Sequence, residues 1–400
     1  MMDPIPRYKI CSAEVLKNRL EIRWGDNHIS AFHPIWMRHQ CYCTDCGTPL
    51  SGIRGIRLHQ IPEDIAIVSA ELFDNTVRIR WSGGDHTSLY SGEWLRNHCY
   101  SSEERRRRRH QPILWDASLA NDIPIGSLTQ AEKDPSSRLR ILEAICDYGF
   151  CKITDAPTDI AEKQRLIALV GVQRQTHFGT YTLTRKKRMT NVGDTTSQLD
   201  PHVDEPYRLS PIGITVFQVL HPSTNGGEST LVDGFEAVRR LKQRWPEDFH
   251  LLCRLPIVNQ RFDPGDNSHG NERWYKSRLP VIKLDDNGKV CGIRTNERQM
   301  SPLDIAEDMV EPSYRALRRL YSLLYDKELR LVFALKAGEG LLFDNQRLLH
   351  GLNEFMPEEP QRSVLTSSVD LDEFHSSLRL LQRDLKSDRM HMLLRQGMAG

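Results

Sequence analysis

Apolar and polar positions alternate through Leu20, Ile22 and Trp24, and the alternation returns through Val77, Ile79 and Trp81. A period of two puts these side chains on one face of a strand. Each run leads into a turn rich in Gly, Asp and Asn, then a polar strand, then a helical turn built on Trp-x-Arg. The first copy reads Ile22-Arg-Trp-Gly-Asp-Asn-His28, followed by Trp36-Met-Arg38 and Cys41. The second reads Ile79-Arg-Trp-Ser-Gly-Gly-Asp-His86, followed by Trp94-Leu-Arg96, His98 and Cys99. The copies are offset by 57 residues at Ile22/Ile79 and by 58 at Trp36/Trp94, a slip that the Gly83-Gly84 turn absorbs. The pattern predicts two β-hairpin halves packed face to face over their tryptophans.

Further along, the period changes. Leu139, Ile141, Leu142, Ala144 and Ile145 form one apolar face of a helix over Ser137–Asp147, which Tyr148-Gly149 stops. Phe150–Thr154 reads as a strand, and a Thr158-Asp159 cap starts a helix over about 160–172. Ile212–Leu220 suits a buried strand, Thr224–Ser229 a turn and Thr230–Val232 the next strand. Helices are expected over Gly234–Arg244 and about 302–325, with a final one over about 372–398. Strands are expected over Leu331–Leu335, Gly340–Asp344 and Ser363–Val369. The Gly-, Asp- and Asn-rich stretch 259–277 reads as a mobile loop with Phe262, Trp274 and Tyr275 as anchors. Strands grouped around helical insertions predict an α+β, mostly β chain. Its expected core is a β-sandwich or jelly roll decorated with helices over residues 113–400, preceded by a small β-rich domain over 1–112.

Composition narrows the classes. A chain of 400 residues is long for one domain, and a 39% hydrophobic fraction supplies an ample core. Net charge of +1 gives no general attraction to nucleic acid or an anionic membrane, so a small molecule is the expected partner. Residues 1–20 carry no apolar run of the kind a secretory signal needs. Nine cysteines, an odd number, suit reduced thiols in the cytoplasm. Arg105–Arg109 reads as a solvated helix face or linker, because no aromatic residues interleave with it. No Gly-rich phosphate loop or Gly-x-Ser-x-Gly elbow is present.

Two constellations carry chemistry. Cys41, Cys43 and Cys46 fall within six residues, and three thiolates with one imidazole would close a tetrahedral structural zinc site. His98 is the expected fourth ligand, with Cys99 as its rival. The second constellation is His202-Val-Asp204, whose side chains share one strand face, together with His350 far downstream. Two imidazoles and one carboxylate on one face of a metal leave positions for a chelating co-substrate and O₂, as in non-haem Fe(II) oxygenases.

Taken together and in order, these motifs resemble those of the γ-butyrobetaine and trimethyllysine dioxygenases, within the wider taurine-dioxygenase-like Fe(II)/2-oxoglutarate oxygenases. The resemblance spans nearly the whole chain. It runs through Phe32-His-Pro-Ile-Trp-Met-Arg38, Gly92-Glu-Trp-Leu-Arg-Asn-His98, His177-Phe-Gly179, Asn191-Val192, His202-Val-Asp204 and Gly226-Gly-Glu-Ser229. It ends with Asp344-Asn-Gln-Arg-Leu-Leu-His350-Gly351 and Arg362. It implies a double-stranded β-helix (jelly-roll) catalytic domain over 113–400 after a zinc-binding domain over 1–112, with iron held by His202, Asp204 and His350. 2-Oxoglutarate would chelate that iron, and Arg362 would bind its far carboxylate near Ser229. It also implies ascorbate as a helper, a homodimer, and a substrate site including Asn191, Tyr181, Phe178, Asp194 and Asn296. Arg294 and Arg298 are expected near an acidic end group of the substrate.

Where relatives carry aromatic residues around a trimethylammonium group, this chain has Thr184, Asp194 and the run Thr366-Ser-Ser368. The resemblance therefore implies hydroxylation of a small cationic or zwitterionic substrate, by default γ-butyrobetaine. Trimethyllysine, an aminophosphonate betaine and another biosynthetic intermediate are the alternatives. Two further classes stay open: a non-catalytic zinc-dependent binding or assembly module, and a zinc hydrolase at the His-Asp-His group.

Overall fold

Both tryptophan hairpins are present in the computed structural model, which describes residues 8–48, 53–176, 181–183, 197–264, 272–356, 362–390 and 392. They belong to the first of two units, Met1–Arg109 and His110–Gly400, whereas the sequence placed the boundary at 112. In the first unit, β1 (Ile10–Leu16), β2 (Arg19–Trp24) and β3 (Ile29–Phe32) form one antiparallel sheet and lead into α1 (Pro34–His39). A two-residue ladder of β4 (Gly47–Thr48) and β5 (Ile53–Arg54) follows. The second copy is β6 (Ile67–Phe73), β7 (Thr76–Trp81) and β8 (Thr87–Ser91), leading into α2 (Gly92–Asn97) and α3 (Ser102–Arg107). The repeat extends to irregularities. Both copies carry a bulge at the same place, Ile10/Ser12 and Ile67/Ser69. Both turn through two left-handed residues, Lys17-Asn18 and Asp74-Asn75, where Asn and Asp are the tolerant side chains.

Leu20, Ile22, Trp24, Val77, Ile79 and Trp81 are all buried in one cluster with Phe32, Met37 and Leu95. Neither three-stranded sheet could bury this face alone, so the duplication supplies each with its partner. Each buried indole N–H needs an acceptor. Trp24 Nε1 donates to Ser30 Oγ at 2.9 Å and Trp81 Nε1 to Ser88 Oγ at 2.8 Å.

The second unit opens with β9 (Ile125–Ser127), α4 (Leu128–Lys133), α5 (Pro135–Tyr148), β10 (Phe150–Thr154) and α6 (Lys163–Ala168). Then come β11 (Tyr181–Leu183), β12 (Leu199–His202), β13 (Ile214–His221), β14 (Ser229–Asp233), α7 (Gly234–Arg244) and α8 (Pro246–Leu252). Next are β15 (Pro256–Asp263), β16 (Arg273–Pro280), β17 (Ile282–Leu284), β18 (Val290–Ile293) and α9 (Val310–Leu324). The unit closes with β19 (Arg330–Phe333), β20 (Gly340–Asp344), β21 (Leu348–Leu352), β22 (Ser363–Val369) and α10 (Leu371–Asp384). A six-stranded sheet has the order β11-β22-β13-β20-β10-β9, and a four-stranded sheet the order β12-β21-β14-β19.

Period two explains how the sheets are used. Ile214 and Val216 of β13 and Leu342 of β20 face a cluster formed with α4, α5, α6 and α10. The alternate residues Phe217, Leu341 and Phe343 meet Leu231, Leu331 and Leu348 of the four-stranded sheet. The two sheets therefore pack face to face. On β21, Leu349 points instead to a third cluster with α7, α8 and α9. His350, two residues from Leu348, consequently lies on the inner face of the sandwich.

Four expectations needed correction. The final helix, expected to about 398, ends as α10 at Asp384, just before Lys386 at φ 50°. The stretch 259–277 is largely the β15–β16 hairpin, with Val258 opposite Arg278 and Phe262 opposite Trp274; the turn residues 265–271 lie outside the description. The helix expected over 160–172 is a 3₁₀ turn at Ile160–Glu162 followed by α6, and Gly171 at φ 149° lies beyond it. The helix expected from 302 begins only at Val310, because Leu303 and Ile305 pack in irregular backbone against the α7–α9 cluster. Among the described residues no helix is long and apolar enough to cross a membrane.

Candidate active site

β12 ends on His202, which stands directly opposite His350 of β21. The two rings lie 4.2 Å apart between centroids. His350 is wedged against Phe343 at 4.9 Å and Phe217 at 5.6 Å, both from the facing sheet. Just past the strand, the Asp204 amide donates to Asn345 Oδ1 at 2.7 Å, and Asn345 Nδ2 donates to the Asp204 carbonyl at 3.0 Å. This fixes the carboxylate between the rings. Its Oδ1 lies 3.5 Å from His202 Nε2 and its Oδ2 3.6 Å from His350 Nε2.

Electrostatics prepare these groups as ligands. Burial, with the neighbouring His202, pushes the His350 imidazole down to about 3, so it is neutral at ordinary pH. Burial alone would raise Asp204, but His350, His202 and Arg261 outweigh it and hold the carboxyl near about 2. His202 Nδ1 donates to the Asp200 carbonyl at 2.8 Å, which turns Nε2 toward Asp204. Two imidazoles, that of His350 held neutral, and an ionised carboxylate, with donor atoms within 4.8 Å of one another, fit a divalent metal of the Fe(II) kind.

Arg362 enters β22 beside Phe355, its guanidinium carbon 5.6 Å from the ring. Burial pushes Arg362 down to about 10, and among the described residues no carboxylate pairs with it. Arg362 is half-buried, and a partly desolvated guanidinium without a counter-charge is costly unless it receives an anion. Phe355 in turn bridges to Gly226, and a Cβ at Gly226 would lie 2.2 Å from the Glu354 carbonyl. The Gly226-Gly227 turn thus lets that strand end approach, and Ser229 follows it at the start of β14, opposite Leu352.

Asn296 is buried with its Oδ1 unpartnered. It lines a cavity of about 290 Å³ with Asp200, Pro201, His202, Glu297, Arg298 and Tyr325. Arg298 lies 3.7 Å from Asp200. Arg294 Nη1 donates to the Arg208 carbonyl at 2.8 Å and lies 3.4 Å from that of Pro206, and Arg294 lines the larger cavity, not the one beside His202. A larger cavity of about 950 Å³ touches Val203 and Asn345 but none of His202, Asp204 and His350. Phe178, Asn191 and Asp194 lie outside the described residues, as does the Tyr181 side chain; the Tyr181 backbone pairs with Thr366. Sequence reasoning missed Asn345 and Arg261. Asn345 sat unremarked inside the Asp344–Gly351 motif, while Arg261 had no local signal.

In the first unit, Cys41, Cys43 and Cys46 converge on His86, not on His98. His86 Nε2 lies 3.4, 3.9 and 3.6 Å from their sulfurs. His98 stacks on Trp94 at 4.4 Å, and its Nδ1 lies 2.7 Å from the Trp94 carbonyl, so the local helix turn consumes it. Cys99, the rival, contacts His28 instead. Burial pushes the Cys41 thiol up to about 11 despite its bond from Ser88, and a bound cation would reverse that. His86 is lowered by burial and by Arg38, which favours the neutral, ligating form. A closed Cys₃His set suits structural zinc.

Residues 110–367 match the model of the taurine catabolism dioxygenase TauD, TfdA family. The chain belongs to that family. It is therefore a 2-oxoglutarate-dependent dioxygenase. Residues 12–96 match the N-terminal module of gamma-butyrobetaine hydroxylase-like proteins. This dioxygenase is 28% identical to the gamma-butyrobetaine dioxygenase of Pseudomonas sp. (strain AK-1), over 94% of this chain and 96% of that one. It is 26% identical to the trimethyllysine dioxygenase of Meyerozyma guilliermondii, again over 94% and 96% of the two chains. A solved taurine dioxygenase from Burkholderia xenovorans superposes with a TM-score of 0.46 at 14% identity, covering 65% of this chain and 90% of that one.

Proposed function

We propose that this dioxygenase hydroxylates an unactivated C–H bond of a small cationic or zwitterionic molecule, with a γ-butyrobetaine-like betaine as first choice. In this reading His202, Asp204 and His350 hold Fe(II), and the two facing sheets are the jelly roll of the catalytic domain. The observation that carries it is the pairing of the His202-Asp204-His350 triad with a half-buried Arg362 that no carboxylate among the described residues neutralises. Fe(II) held by these three residues would supply O₂ activation, by which oxidative decarboxylation of 2-oxoglutarate to succinate and CO₂ is coupled to hydroxylation.

The chain's own groups do the positioning. Asp200 and Asn345 aim His202 and Asp204. Phe217 and Phe343 lock His350 and keep water from it. Arg362 binds the far carboxylate of 2-oxoglutarate through a fork suited to two oxygens, beside Ser229. Asn296 and Arg298 address the substrate from the small cavity, together with Phe178, Tyr181, Asn191 and Asp194. Cys41, Cys43, Cys46 and His86 hold zinc for stability, not chemistry. Ascorbate as a helper, a homodimer and a cytoplasmic setting complete the proposal, and sedimentation analysis tests the dimer.

Full-length protein with Fe(II) and 2-oxoglutarate is incubated with betaines, trimethyllysine, amino acids and aminophosphonates, and succinate is measured. At least one betaine should release succinate in step with hydroxylated product. Succinate from none of them would favour the binding-module reading. Turnover without O₂ or 2-oxoglutarate would favour the hydrolase.

A further inference from the structure

The internal repeat places a second sulfur–imidazole pair where the first unit already has its thiol cluster. At the cluster, Trp81 donates to Ser88, and the Ser88 hydroxyl donates to Cys41 Sγ at 3.0 Å, beside His86. In the other copy Trp24 donates to Ser30, and the Ser30 hydroxyl donates to Cys99 Sγ at 3.1 Å, beside His28. The partners cross over: each cysteine meets the hairpin of the opposite half. Cys99 Sγ and His28 Nε2 are 3.5 Å apart, within the 3.4–3.9 Å spread at the cluster. Tetrahedral zinc-like geometry, with metal–sulfur near 2.3 Å and metal–nitrogen near 2.05 Å, separates two such donors by about 3.6 Å.

The rest of the correspondence shows what was lost. An offset of 58 residues places Ser101 at the position of Cys43 and Glu104 at that of Cys46. Arg38, which donates to Cys46 Sγ at 3.3 Å, corresponds to Arg96, which donates to Glu104 at 2.9 Å. Glu104 also binds Arg107, so two cations engage it and withhold it from a metal. Glu103 replaces nothing in the cluster, yet its Oε2 lies 3.6 Å from His28 Nδ1. A carboxylate on the far nitrogen of an imidazole orients it and raises its basicity as a ligand. Cys99 is buried and the His28 side chain is only 9% exposed, whereas Glu103, at 74%, lies on the solvent side of the pair.

We propose that Cys99 and His28 form a second metal position, the pseudo-symmetric twin of the Cys₃His site, which takes a soft thiophilic d¹⁰ cation through two protein ligands. Binding releases the Cys99 thiol proton to solvent, and water or a small anion fills the remaining coordination positions. With two thiolates fewer than its twin, the position holds metal more weakly and exchanges it faster.

Titration with ¹¹³Cd(II), read by ¹¹³Cd NMR, tests this in full-length protein carrying His202→Ala to silence the third donor group. Two thiolate-bearing resonances are expected: one far downfield from the Cys₃His cluster and one at smaller shift from Cys99–His28. Cys99→Ala and His28→Gln should each abolish only the second, and the surviving cluster resonance reports that the unit remains folded. A single thiolate-bearing resonance in the parent, or a second that survives both substitutions, overturns the proposal. Ser101→Cys combined with Glu104→Cys provides a gain-of-ligand check, since Arg38 already accommodates a thiol at the matching place. It should move the second resonance downfield toward the first, and failure to move would overturn the twin relationship.

Discussion

Asn345 and Asp204 hold each other through two hydrogen bonds, amide to side-chain oxygen at 2.7 Å and side-chain nitrogen to carbonyl at 3.0 Å. Asp204 lies beyond the last residue of β12, so no strand ladder fixes its backbone. The side chain of Asn345 substitutes for that ladder. Asn345→Ala should raise the Fe(II) concentration needed for half-maximal turnover about 10–100-fold, the usual cost of losing a group that orients a metal ligand. Turnover at saturating iron should fall much less. Iron titration of activity checks both, and an unchanged iron requirement would remove Asn345 from the site.

Arg362 separates co-substrate binding from substrate binding. Charge-assisted hydrogen bonds contribute about 1.5–3 kcal/mol. Arg362→Met should therefore raise the 2-oxoglutarate KM by about 10–150-fold while moving the KM for the amine substrate little. Equal effects on both constants would contradict the assignment. Arg362→Lys should recover only part of the loss, because a point charge cannot match two carboxylate oxygens with a planar fork.

How much of this was legible beforehand depends on the range of the interaction. The repeat, the strand Phe150–Thr154 and the helix Gly234–Arg244 are set by period and by local stop signals, and the structure has them at those bounds. His202, Asp204 and His350 were legible because their types and order are restrictive, although nothing local shows that His202 and His350 would be cross-strand neighbours. His86 was overlooked although it lies in the repeat. Proximity along the chain to Cys99 favoured His98, whereas the face-to-face packing of the halves brings the opposite hairpin to the thiols. Arg294 has one end of its guanidinium held by the backbone carbonyls of Pro206 and Arg208, a separate segment. Such captures have no signature in the sequence.

His86 and His98 give opposite outcomes on substitution. His86→Ala removes the imidazole that faces Cys41, Cys43 and Cys46, so it should lower zinc content and the melting temperature of the first unit. Cys43→Ser should do the same. His98→Ala should leave zinc content unchanged and cost only its packing on Trp94. Atomic absorption on purified proteins reads the zinc. Loss of zinc in His98→Ala, or normal zinc with normal stability in His86→Ala, would reverse the assignment.

Asp147 makes the second unit sensitive to acid. Its carboxylate accepts bonds from Arg389 at 2.7 and 2.9 Å and lies 3.0 Å from His110 Nε2. Burial alone would raise its pKa, but His110 and Arg389 outweigh burial and hold the carboxyl at about 2, below its ordinary value of 3.8. The folded state thus binds this proton less readily than the unfolded chain. The stabilisation is fully present above about pH 4 and is lost as pH falls from there toward 2. After allowance for solvent screening it amounts to about 1–2 kcal/mol. Asp147→Asn should therefore lower the urea midpoint clearly at pH 5, and the gap from the parent should narrow at pH 3. A gap of equal size at both pH values would mean that packing, and not the charge on Asp147, accounts for the loss.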